Sequence, residues 1–184
     1  MANTDNANGF QPVSKVPSTG EYTIASAYGT ALARGEPVEL TGTGRNIQES
    51  AAGNVESIGI FAGCSYVDSQ GNPVWSEYWP ASTVATNIKA YVWDNPLEVF
   101  RVQCDTLAEA DIGALADWDT GTPSATNRCS GVELVASSTA TSGNSIRILR
   151  LSRLPDNAYG TYAKADVVFA EHAFLTGAAG AGGV

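Results

Sequence analysis

Apolar side chains in this chain recur at period two in short runs, and each run is cut off by glycine, proline, asparagine or aspartate. Period two sends successive side chains to opposite faces of an extended strand, whereas a helix repeats its apolar face at every third and fourth residue. The first run is EYTIASAY, with Tyr22, Ile24, Ser26 and Tyr28 on one side. EPVEL follows Gly35 and closes at TGTG. SIGIFAGCSYV then runs into DSQGNP, where Asp68, Gly71, Asn72 and Pro73 supply turn chemistry before VWSEYWP, so this stretch reads as a hairpin. NIKAYVWDNPLEVFRVQC reads as a strand pair: Ile88, Ala90 and Val92 alternate, DNP punctuates with Pro96 suited to a strand start, and Leu97, Val99, Phe100 and Val102 resume. Further strand candidates are GVELVAS, SIRILRLSRL and KADVVFAEHAF.

Helix is expected only near residues 106–117. Thr106 and Glu109 have capping-box spacing and lead into Ala110, Ile112, Ala114 and Leu115, with Gly113 interrupting. Two Trp-Asp dipeptides, at 93–94 and 118–119, sit in unlike contexts and do not make a repeat. About ten short strands with at most one or two short helices predict an all-β barrel or sandwich, in which closure or stacking hides the strand edges.

A chain of 184 residues with 43% hydrophobic and 16% charged residues can bury a full core without disulfides. Its ends do not read as core. Residues 1–9 are small and polar and 177–184 are GAAGAGGV, segments that lose chain entropy on ordering and bury little. The expected organisation is an extended N-terminal arm over 1–20, a single β-rich domain over 21–176 and a flexible Gly/Ala tail over 177–184. No strand pattern begins before Glu21, so removal of residues 2–13 is expected to leave the β core folded.

The net charge of −9 repels phosphate backbones, which argues against nucleic-acid binding. Cys64, Cys104 and Cys129 are an odd number, lie far apart and lack metal-site spacing; they read as small buried thiols. The first residues lack the basic and apolar regions of a secretory signal, and no stretch approaches the apolar length a membrane helix requires. A soluble protein made in a cytosol, with no membrane partner, is the expectation.

Chemistry-bearing constellations are sparse. The one histidine, His172, lies in the apolar context VVFAEHAF, which reads as structural rather than as the base of a triad or a Cys-His pair. Glu98, Asp105, Glu109, Asp111, Asp117 and Asp119 cluster in sequence without EF-hand order, and read as a solvated acidic face rather than a glycosidase pair or calcium site. No dinucleotide fingerprint or P-loop occurs. No enzyme activity, metal or cofactor is therefore expected. The aromatic group Tyr66, Trp75, Tyr78 and Trp79 is the best candidate for stacking on a sugar or peptide. Trp75 and Trp79, four apart on a strand, would share one face, where a core or subunit contact is commoner than an exposed platform. Charge is segregated along the chain: acidic residues dominate 94–119, whereas Arg128, Arg147, Arg150 and Arg153 dominate 128–153. Complementary surfaces between neighbouring copies need such a division.

The C-terminal run LSRLPDNAYGTYAKADVVFAEHAF, the opening MANTDNANGFQPV and the middle pattern ADIGALAD...GTPSATNRCSGVEL together resemble the decoration or cement proteins that coat the heads of tailed bacteriophages. The resemblance spans most of the chain. It implies a non-enzymatic virion protein, assembled in the host bacterial cytoplasm, that binds the major capsid protein on the outer surface of the head and stabilises the shell. It also implies self-association, with a trimer preferred over a dimer because decoration sites lie on local symmetry axes. On this reading Asn8, Phe10, Pro12 and Val13 of the arm, and Arg147, Arg150 and Arg153, contact the capsid or a neighbouring subunit. The alternative is a glycan- or receptor-binding module of a virion or cell surface that uses Tyr66, Trp75, Tyr78 and Trp79.

Overall fold

The structure is a computed structural model and describes residues 3–53, 56–124 and 126–175; the expected tail over 177–184 lies outside the described residues. The protein is all-β. Its first half carries β1 (Gln11–Pro12), β2 (Gly20–Ile24), β3 (Leu32–Ala33), β4 (Pro37–Leu40), β5 (Asn46–Glu49), β6 (Ser57–Val67), β7 (Pro73–Ser76), β8 (Tyr78–Trp79) and β9 (Thr86–Trp93). The second half carries β10 (Phe100–Gln103), β11 (Thr106–Leu107), β12 (Leu115–Asp119), β13 (Glu133–Ala140), β14 (Ile146–Leu151), β15 (Gly160–Thr161) and β16 (Lys164–Phe169). Several of these strands are two residues long, too short to show a period, and so the sequence pattern undercounts them.

The first-half sheet runs β4-β5-β2-β9-β6-β7, and β4 also pairs with β6, which closes five of the strands into a barrel. Ile24, Val38, Ile47, Ile58, Phe61, Val92 and Trp79 fill it. The second-half sheet runs β1-β10-β16-β14-β12-β13 and curls until β13 returns to the end of β10. Cys104 bridges Leu134 there, and the Asp105 N–H donates to the Leu134 carbonyl at 3.1 Å. The Asp105 carboxylate fixes this seam by accepting from the Ala136 N–H at 2.9 Å and from the Ser137 hydroxyl.

Ile60 of β6 and Trp93 of β9 belong to the second core, although their strands wall the first. Burial on both faces explains why SIGIFAGCSYV is a nearly unbroken apolar run rather than an alternating one. β6 also bends to reach β4 at one end and β7 at the other. Gly59, at φ +139°, makes the approach to β9 possible, since a Cβ there would lie 2.2 Å from the Trp93 carbonyl oxygen.

The expected β6–β7 hairpin is present, with Cys64 opposite Ser76 and Val67 opposite Pro73. Three expectations are corrected. The stretches either side of DNP do not pair: β9 joins the barrel and β10 the curled sheet, so residues 94–99 connect two sheets instead of turning a hairpin. The expected helix is a three-residue 3₁₀ turn, Glu109–Asp111, because the Asp111 carboxylate caps the Ala108 N–H at 2.7 Å and Gly113 follows at φ +90°. Thr106 and Leu115 lie in strands on either side.

The third correction concerns the arm. Phe10 is fully buried in its own chain's second core, 6.3 Å from Phe100 and 6.3 Å from Trp118 in edge-to-face geometry, and 6.4 Å from Phe169. Pro12 pairs with Phe100 in β1–β10, and the Phe10 N–H donates to the Gly35 carbonyl at 2.8 Å. The ring is therefore not an anchor for a partner. A large apolar side chain near a curled sheet gains more from filling that sheet than from waiting for a neighbour.

Phe10→Ala is expected to destabilise the fold by about 3–5 kcal/mol, as truncation of a fully buried aromatic does. Deletion of residues 2–13 is expected to destabilise it at least as much. Urea unfolding midpoints check both, and an unchanged midpoint for either variant contradicts the placement of the ring.

Candidate binding surfaces

The N-terminal segment continues past β1 alongside the linker between the sheets. The Val13 N–H donates to the Val99 carbonyl at 2.9 Å, and the Ser14 N–H reaches the Glu98 carboxylate at 3.4 Å. This pairing leaves three apolar side chains in solvent, Val13 at 38%, Val16 at 88% and Leu97 at 74% exposure. Asn8 is also exposed, and Pro12 is half-buried. Of the arm residues expected to meet a partner, Val13 and Asn8 are accessible while Phe10 is not. Val16 and Leu97 were not among the sequence candidates; an apolar residue in an otherwise polar loop was their only signal.

The basic residues on and after β14 divide. Arg147, exposed, donates to the Gly113 carbonyl at 2.7 Å. Arg150 sits at a bulge in β14 and pairs through Nε with the buried Asp166 at 2.8 Å. Burial alone would raise the Asp166 pKa, but hydrogen bonds from Ser152 and Arg150 and the charge of Arg101 outweigh it and hold the carboxyl below its ordinary value. Arg150 is thus committed within the chain, and Arg153 is exposed.

The expected aromatic patch is not one surface. Tyr66 and Trp79 are core residues in edge-to-face contact at 5.2 Å, and Tyr78 is half-buried. Trp75 alone projects from the sheet, 66% exposed. Four-residue spacing fails to put Trp75 and Trp79 on one face because the chain changes partners between them: β7 pairs with β6, and β8 pairs with β3.

Trp75 borders a cleft of about 490 Å³ at the junction of the two sheets, with Arg34, Glu77, Arg128, Asn8 and Gln11 around it. Arg34 bridges in parallel to Cys129, pairs with Glu77 and lays its guanidinium over Trp93 at 5.1 Å. Cys129 is half-buried, whereas burial pushes the Cys64 and Cys104 thiols up to about 12.

Other polar groups act within the fold. Asp111 caps its turn, and Asp117 accepts the Ser145 N–H at 2.9 Å. His172 is buried, its Nδ1 accepts the Phe174 N–H at 3.2 Å, and burial lowers its pKa. Among the described residues no cluster of three or more His, Cys, Asp or Glu could hold a metal ion, and no helix is long and apolar enough to cross a membrane. Searched against known proteins, the chain matches no protein-family model and no curated protein.

Glu36 is fully buried, and its Oε2 accepts the Ala33 N–H at 2.8 Å. Burial raises its pKa from 4.5 to about 8, with help from the charge of Glu49 and against the opposing pull of hydrogen bonds from the Ala33 N–H and Ser130. Between those values the folded chain holds a proton that the unfolded chain has released, so stability falls as pH rises through this window and levels off above it. The slope contributed by Glu36 is at most about 1.4 kcal/mol per pH unit. Glu36→Gln is expected to remove this loss, read as urea midpoints at about pH 5, 6.5 and 8; a variant that declines as steeply as the parent contradicts a protonated Glu36.

Proposed function

We propose that the protein is a non-enzymatic structural component of a bacteriophage virion that binds the major capsid protein on the outer head surface and cements the shell. The observation that carries this reading is the exposure of three apolar side chains, Val13, Val16 and Leu97, on two paired segments, taken together as a strip. Val13 and Val16 follow the buried Phe10 on a segment that the Val13–Val99 hydrogen bond ties to the linker bearing Leu97. A preorganised strip costs little side-chain and chain ordering on docking, so most of the apolar area it buries contributes to affinity. The resemblance of the C-terminal run and the opening to head decoration proteins supports the same role. So does the use of Asp105, Asp111 and Asp117 as backbone caps, which leaves these carboxylates engaged in structure rather than in acid–base chemistry. The charge of −9 suits an outer face, where affinity for the packaged genome would be a defect. Self-association, with a trimer preferred, belongs to the same proposal.

Val16→Asp and Leu97→Asp are expected to leave the unfolding midpoint within about 0.5 kcal/mol of the parent, since both side chains are in solvent. Each should weaken cosedimentation with expanded empty heads by on the order of tenfold, the effect of burying an unpaired charge at an interface. Parental binding by the double variant contradicts the assignment of this strip, and failure of the parent protein to bind heads contradicts the function.

A further inference from the structure

We propose that the cleft between the two sheets is a saccharide site, and that it selects sugars carrying a carboxylate. Trp75 supplies the platform: a flat ring two-thirds exposed on the outer face of β7, at the cleft wall. An exposed indole in a cavity of about 490 Å³ has room for one or two sugar rings, whose C–H faces stack on the aromatic face while their rims present hydroxyls. The rim groups of the cleft match those hydroxyls. Asn8 and Gln11 bring side-chain amides; the Gln11 amide N–H is held by the Asn8 carbonyl at 2.7 Å, which orients its oxygen as an acceptor. Glu77 is an acceptor fixed by its pairing with Arg34.

The charge of the cleft decides between neutral and acidic sugars. Arg34 is neutralised by Glu77, but Arg128 makes no ion pair among the described residues. Arg128 sits in a left-handed backbone conformation, φ +58°, on the segment that also bears Cys129 of the cross-sheet bridge to Arg34. In a chain with 19 acidic and 10 basic residues, a guanidinium with no ion pair among the described residues that lines the same cleft as an exposed tryptophan offers a place for an anionic group. A uronate fits it: the ring stacks on Trp75 and the carboxylate takes the planar fork of Arg128. The site uses side chains other than Val13, Val16 and Leu97, so it stands or falls independently of capsid attachment.

Cellobiouronate and cellobiose differ by one carboxylate, and they separate stacking from charge. The chain has four tryptophans, of which Trp79, Trp93 and Trp118 are at most 6% exposed, so a perturbed indole resonance in an NMR titration reports on Trp75. Cellobiouronate is expected to shift the Trp75 indole and the Asn8 and Gln11 amides with a Kd on the order of millimolar, and cellobiose about tenfold more weakly, the worth of one charge-assisted contact. Arg128→Gln should bring cellobiouronate to the cellobiose level. Trp75→Ala should abolish the amide shifts of both sugars while the rest of the spectrum stays that of the folded protein. No shift of the Trp75 indole at ~50 mM of either sugar overturns the proposal, as does equal affinity for the two sugars or an Arg128→Gln variant that still prefers cellobiouronate.

Discussion

The burial of Phe10 is the contact on which the arrangement of the two sheets depends. Its ring fills the curled second-half sheet among Phe100, Trp118 and Phe169, while its N–H donates to the Gly35 carbonyl on the first-half side. One residue thus belongs to both halves. The approach is so close that Gly9, at φ +60°, has no room for a Cβ, which would lie 2.4 Å from the Gly35 oxygen. From this point outward the segment is directed: backward, Asn8 reaches the cleft; forward, β1 pairs with β10 and delivers Val13 and Val16 to the surface. Both candidate surfaces are consequences of where Phe10 is placed.

Two cores in one chain also explain how a protein of this size closes its sheets. The barrel closes on itself through β4–β6, and the second core is completed by Ile60 and Trp93, which project from strands of the barrel wall. The Arg34–Cys129 bridge then ties the halves at the cleft.

The all-β class was legible because period two and turn residues act locally; Asp68 to Pro73 specify the β6–β7 hairpin without help from the rest of the chain. Misreadings came where distant residues overrule local pattern. DNP carries the same turn chemistry as a hairpin loop, yet β9 and β10 find better partners in different sheets. The capping-box spacing at Thr106 yields to strand pairing of Thr106 with Thr161. Phe10 looked like a free anchor because its neighbours in sequence are polar, and only the three-dimensional gap in the curled sheet explains its burial. The same holds at the aromatic group, where the change of strand partner at Glu77 reverses the side on which Trp79 lies. The candidate surface residues were half legible: Trp75, Asn8 and Val13 by type, but Arg34, Arg128 and Leu97 only by position.

Native-state hydrogen exchange of the Phe10 and Val13 amides tests the dependence on this segment most directly. If the segment is integral to the fold, both amides should open only with the same free energy as those of Val102 and Val167 in the adjoining strands, and the urea dependence of their exchange should be that of global unfolding. Exchange of Phe10 and Val13 at the rate of free peptide, with β10 and β16 still protected, would contradict the account and return residues 3–16 to the status of a detachable arm.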